Sequence, residues 1–155
     1  MMQDMLKFAS PPHLLPHGAL LAFDFGEKRI GVAMGEMALK MAHPLTTIDA
    51  TRNDTRLLAI GKLIAEWQPA RLIVGLPMHL DGKEHAMSER CRGFAKLLQG
   101  KFRLPTDLVD ERLTSAEAQE MLRGFGRGGK KDKHLIDQLA AQRILQAYFD
   151  QHATA

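Results

Sequence analysis

Three acidic residues stand in settings where a carboxylate is expensive, and their types suit divalent-cation chemistry on phosphodiesters. Asp24 follows the apolar run Leu20-Leu21-Ala22-Phe23, and strand alternation puts it on one face with Leu20 and Ala22. Those neighbours mark the face as covered, so the carboxylate needs a backbone donor, a basic side chain or a metal ion. An aspartate capping its own turn through Gly26 competes on equal terms at this point. Glu111 ends the stretch Thr106-Asp107-Leu108-Val109-Asp110, where a solvated strand end is the commoner explanation. Asp137 precedes Ala140, Ala141, Ile144 and Tyr148 by three, four, seven and eleven positions, which sets it on the apolar stripe of a helix. Clusters made only of carboxylates suit hard cations such as Mg²⁺ or Mn²⁺. Two such ions about 4 Å apart activate water and stabilise the leaving oxygen in phosphodiester cleavage. Asp24, Glu111 and Asp137 are therefore the candidate catalytic and metal-holding residues. Spacing alone does not single them out, because 18 acidic residues offer many triples.

A second cluster has the opposite sign. Residues 123–134 hold Arg123, Arg127, Lys130, Lys131 and Lys133 against Asp132, together with four glycines and no apolar period. The excess of +4 in twelve residues exceeds the net +3 of the whole chain. A glycine-rich basic loop can follow a phosphate backbone and would bind it in a salt-dependent way; ordinary solvated surface is the competing explanation.

The elements that must position these groups follow from pattern. Residues 20–35 read as two strands joined by a tight polar turn at Gly26. Leu39 to Ile48 reads as a third strand, at a sheet edge because of Pro44. Asn53 or Asp54 caps a helix that runs to Trp67 and stops at Pro69, and residues 71–77 form a short buried strand. An Asp81-Gly82 turn leads to a helix from about Glu84 to Leu98, ended by Gly100. After the fifth strand at 106–111, Thr114-Ser115-Ala116-Glu117 has the form of a capping box opening another helix. A last helix spans about Lys133 to Phe149. A meander followed by strand–helix units implies an α/β fold with a mixed five-stranded sheet and helices on both faces, the ribonuclease H-like order. The fourth and fifth strands then lie beside the first and parallel to it.

Composition sets the bounds. The chain has 155 residues, 45% apolar and 25% charged, as one soluble domain would. Residues 1–18 read as a flexible tail and 19–151 as the folded domain. No apolar run approaches a membrane span, and the N-terminus does not read as a signal peptide, so a cytoplasmic protein is expected. The single cysteine, Cys91, falls on a helical stripe and reads as core. The histidines have no metal-ligand spacing, and neither a nucleophile elbow nor a P-loop is present.

The segments Leu21-Ala22-Phe23-Asp24-Phe25-Gly26, Arg29-Ile30-Gly31-Val32-Ala33, Ile73-Val74-Gly75-Leu76-Pro77 with Asp81-Gly82, and Asp110-Glu111-Arg112-Leu113-Thr114 resemble, in order, the motifs of the YqgF/RuvX family. Its members are described as pre-16S rRNA nucleases and, in older usage, as Holliday junction resolvases. The resemblance covers about residues 19 to 151 and implies a ribonuclease H-like nuclease using Mg²⁺ or Mn²⁺, with Asp24, Glu111 and Asp137 as its acidic residues. It implies RNA as substrate, most simply the 5′ end of precursor 16S rRNA, with branched DNA as the alternative. A monomer or weak dimer is expected, and a binding module without catalysis is the bland alternative. An actin-like ATPase would need a longer, two-lobed chain. Glu27 departs from the pattern, standing where a small polar residue is expected.

Overall fold

The computed structural model describes residues 18–79, 81–83, 86–111 and 130–152. Three expected features lie outside the described residues: the N-terminal tail except Gly18, the capping-box helix at Thr114, and residues 123–129 of the basic segment. The same holds for the side chains of Lys130, Lys131 and Asp132.

The run Leu20–Phe23 is buried throughout, and it becomes the middle of β1 (Ala19–Phe25), the central strand of the sheet. Its hairpin partner β2 (Arg29–Glu36) pairs antiparallel from Ala19–Glu36 to Phe25–Ile30. Next to β2 lies β3 (Met41–Asp49), an edge strand as Pro44 requires. Its register slips at Val32/Ala33, so that Val32 faces Thr46 while Ala33 faces Pro44. On the other side of β1 lie β4 (Arg71–Leu76) and β5 (Thr106–Asp110), both running parallel to it. The order β3-β2-β1-β4-β5 is the one predicted from right-handed crossovers, and the fold is ribonuclease H-like.

Alternation along β1 divides the core in two. Leu21 and Phe23 pack with Ile30, Val32, Leu72 and Val74 under two helices, α1 (Asn53–Trp67) and α2 (Ala86–Phe102). Leu20 and Ala22 face the other way, onto Ala141, Ile144, Leu145 and Phe149 of α3 (Lys130–Gln151). Full burial of each large side chain in these layers contributes about 1.5–3 kcal/mol. Asp24, next in the alternation, therefore belongs to the α3 face.

Several boundaries differ from expectation. β3 begins at Met41 because residues 37–40 make a turn, with Lys40 at φ 51° and its N–H donating to the Glu36 carbonyl. Neither Asn53 nor Asp54 caps α1. The capping residue is Arg52, whose side chain pairs with Asp54 at 2.7 Å instead of bonding the helix end. Gln68, left-handed at φ 46°, closes α1 ahead of Pro69. Gly100 does not end α2. The helix continues through it because Phe102 packs against the core, which outweighs the roughly 1 kcal/mol that an interior glycine costs, and Arg103 at φ 55° closes it. α3 starts at Lys130, three residues early, since a polar first turn carries no apolar period to reveal it. Gly26 is required for space and not for an unusual φ: a Cβ there would sit 2.6 Å from the Arg29 carbonyl oxygen.

Candidate active site

Asp24 stands at the C-terminal end of β1, and Glu111 directly follows β5. With β4 between those strands, the two carboxyls can meet only if β4 leaves room. It does so at Gly75, where a Cβ would lie 2.8 Å from Glu111 Oε1 and 2.4 Å from Ile144 Cδ1. Glu111 thus passes over a missing side chain and hydrogen-bonds Asp24. Burial pushes the Asp24 carboxyl well above the ordinary carboxylate range, helped by the charge of Glu111, the bond to it, and then the charge of Asp137. Glu111 is also raised, chiefly by burial and further by Asp110, while its bond with Asp24 pulls the other way. Both carboxyls are raised, so the pair favours holding one proton between them. The alternative role for Asp24, capping its own turn, is not seen.

Asp137 reaches the same place from the opposite layer. Gly31 pairs directly with Asp24 across the hairpin, and a Cβ on Gly31 would lie only 1.9 Å from the main-chain oxygen of Asp137. The α3 backbone rests on this glycine. The Asp137 carboxylate accepts from Arg29 Nε at 2.6 Å, in an ion pair that is mostly hidden. Among the described residues no three His, Cys, Asp or Glu side chains are gathered closely enough to hold a metal ion. The structure brings Asp24 and Glu111 into contact and sets Asp137 beside them, turned toward Arg29. The donor set is all hard oxygen, the chemistry that suits a hard divalent cation.

The basic segment is only partly described. Lys130, Lys131 and Lys133 lie in the first turn of α3, and Lys133 is exposed. Arg123 and Arg127 lie outside the described residues. Cys91 is core, its thiol pushed up to about 12, first by burial and then by the nearby charges of Glu111 and Asp24. His134 meets Asp49 at 3.0 Å, and no histidine joins a metal cluster among the described residues.

Two residues escaped the sequence reading. Arg29 shares a strand face with Gly31, a signal that it points toward Asp24, but its partner lies 108 positions away. Arg56, only 2% exposed, donates to the carbonyls of Ala50, Gly26 and Glu27 at 2.6, 2.6 and 2.8 Å and pins the turn that follows Asp24. Its signal was available: Arg56, Ile60 and Ile64 recur at four-residue spacing, placing a charge on a buried stripe.

A pH-linked prediction arises from the carboxyl pair. A raised folded-state pKa means that the folded chain keeps a proton which the unfolded chain releases. The metal-free protein should therefore gain most from the pair below the ordinary carboxylate range and lose that gain as pH climbs through the raised value. A cation must displace the proton, so the thermal stabilisation given by Mn²⁺ should be small near pH 5 and grow toward pH 8. Melting curves at both pH values check this, and a metal shift independent of pH would refute it.

Comparison with known proteins adds lineage to geometry. Residues 18–151 match the family described as "RuvX: Holliday junction resolvase". A protein of Methylobacillus flagellatus named "Putative pre-16S rRNA nuclease" is 58% identical over 139 residues, 90% of this chain and 95% of that one. One of the same name from Dechloromonas aromatica is 56% identical over 133 residues, 86% of this chain and 91% of that one. Among solved structures, Thermus thermophilus RuvC in complex with Holliday junction substrate superposes with a TM-score of 0.55 at 15% identity, covering 90% of this chain and 98% of that one. The yeast mitochondrial Holliday junction resolvase Ydc2 gives 0.54 at 11% identity, covering 99% and 86%. These two likenesses establish the shared fold.

Proposed function

This chain belongs to the RuvX family, and from that premise we propose that it is a divalent-metal-dependent endonuclease that trims the 5′ end of precursor 16S rRNA in the cytoplasm. The observation that carries the reading is the Asp24–Glu111 carboxyl pair at the C-terminal edge of the parallel strands, with Asp137 brought beside it by α3. Asp24, Glu111 and Asp137 would hold Mg²⁺ or Mn²⁺, which when bound supplies an activated water and stabilises the leaving oxygen. The chain's own groups do the rest. Asp24 and Glu111 give up their shared proton on loading. Gly31 and Gly75 keep strand side chains out of the way of Asp137 and Glu111. Arg29 orients Asp137 and sets a positive charge beside the carboxylates. Lys130, Lys131 and Lys133 in the first turn of α3, with Arg123 and Arg127 before them in sequence, would neutralise substrate phosphates as the strand approaches.

Holliday junction cleavage is the second reading, favoured by the family's own description. Symmetric cutting of two strands would require a two-fold dimer, whereas end-trimming needs only a monomer. Incubation with precursor 16S rRNA and with a four-way DNA junction, each with and without Mn²⁺, separates the two. Metal-dependent shortening of the RNA with the junction left intact is expected. Junction cutting with intact RNA would exchange the readings, and cleavage of neither would refute both.

A further inference from the structure

A cavity of about 280 Å³ opens on the other side of β1 from Asp24, between the β1–β2 turn, the start of α1 and the body of α2. Phe25 on its wall directly follows Asp24, so the cavity and the carboxylates flank the same strand end from opposite faces. The wall carries an unusual charge arrangement. The guanidinium groups of Arg56 and Arg90 lie 5.3 and 5.9 Å from the centre of the Phe25 ring. Arg56 is buried, and its hydrogen-bond partners are the three carbonyls already named; among the described residues no carboxylate pairs with it. Burial and the charge of Arg90 both lower its pKa, as expected for a cation without a counter-ion. Asn53, the first residue of α1, lines the same space, and the capping residue Arg52 makes no side-chain bond to the helix end. The first turn of that helix carries its own carboxylate, Asp54, which accepts from the Thr55 N–H at 2.8 Å, so the positive charge on the wall is that of Arg56 and Arg90. The one carboxylate on the wall is Glu27, held by Arg90 at 2.6 Å in an ion pair whose side chains are 66% and 52% exposed. An exposed pair of this kind contributes little to stability, so a better anion can replace it.

We infer that this cavity is a phosphate subsite, which takes a backbone phosphate of the nucleic-acid strand beside the one being cut; the inference rests on the nuclease reading above. Arg90 is the direct ligand, since a guanidinium fork matches phosphate oxygens in a way a lysine does not. Arg56 supplies the field, and the Glu27 carboxylate holds the phosphate's place until the strand arrives. A nucleobase suits the cavity less well, because the Phe25 face on which it would stack is already covered by the two guanidinium groups.

The test uses the full chain, a short single-stranded RNA and no divalent metal, so that binding is read without cleavage. Arg90→Ala is expected to weaken binding about tenfold and to flatten the slope of log affinity against log salt by up to about 0.7. Glu27→Gln is expected to tighten binding severalfold, because it removes the competing carboxylate. Arg90→Lys, which keeps the charge and loses the fork, should fall between wild type and Arg90→Ala, and it serves if the alanine variant fails to melt cooperatively. Opposite signs for the two positions are the signature, since a merely structural ion pair would give losses at both or no change. Affinities within twofold of wild type for all variants would overturn the subsite. It would also be overturned if inorganic phosphate raised the melting temperature of wild type but not of Arg90→Ala while RNA affinity stayed unchanged, for the site would then take free phosphate only. The nuclease reading fails separately: if wild type cuts no nucleic acid with Mn²⁺ while the opposite-signed shifts persist, the subsite stands and the activity does not.

Discussion

Asp24→Asn is expected to cut metal-dependent cleavage by more than about a hundredfold and, at the same time, to make the metal-free protein more stable. The first effect follows from position. Residues that only support a metal ligand cost roughly 10–100-fold when removed, so loss of the central carboxylate should exceed that range. The second follows from the proton that Asp24 shares with Glu111. At pH 8 the native chain must either hold that proton against the solution or confine two carboxylates beside a third. Asparagine keeps the shape, and its amide donates to Glu111 at every pH. A gain of about 1 kcal/mol would raise the melting midpoint by about 2–4 °C in a chain of this length. The gain should vanish near pH 4, where Asp24 is protonated in the native state in any case. Cleavage within tenfold of wild type would remove Asp24 from the chemistry. A variant less stable than wild type at pH 8 would show that the pair is structural.

The parts of this site that were legible in the sequence are those where polarity conflicts with local pattern. Asp24 after four buried residues and Asp137 on an apolar stripe each violate their element's periodicity, and a violation can be read without knowing the partner. Strand order was legible for a different reason: right-handed crossovers leave few topologies for this sequence of elements. Partners were not legible. Nothing near Arg29 in sequence points to Asp137, and nothing around Gly75 says that Glu111 will pass over it. Helix ends were misplaced where exposed turns carry no apolar signal, as at Lys130, or where a distant contact overrides a local breaker, as Phe102 does for Gly100. The strand glycines Gly31 and Gly75 were not read for packing at all. A glycine inside a strand marks a close approach, but only the folded chain shows what approaches.

Gly31 is where that approach is tightest, and Gly31→Ala should damage stability and activity together. The added methyl would meet the main-chain oxygen of Asp137 at 1.9 Å and its carbon at 2.4 Å, atoms that no rotamer change can move. Either α3 lifts from the sheet or β2 bends. Lifting α3 loosens the layer formed by Ala141, Ile144, Leu145 and Phe149 against Leu20 and Ala22. A cost of about 3 kcal/mol is expected, at the upper end for overpacking a well-filled core. That is a large fraction of the roughly 5–15 kcal/mol that holds a typical domain folded, and it corresponds to a fall of about 6–12 °C in melting midpoint. Gly100→Ala is the control: it adds the same methyl inside a helix where no atom lies within 4 Å, and it should raise stability by about 0.5–1 kcal/mol. Activity separates geometry from unfolding. At a temperature where Gly31→Ala is still fully folded, its cleavage rate should remain far below wild type, because the displaced backbone is that of Asp137 itself and the third carboxylate moves with it. A folded Gly31→Ala variant with normal turnover would mean that Asp137 can leave its place without consequence. The site would then consist of Asp24 and Glu111 alone.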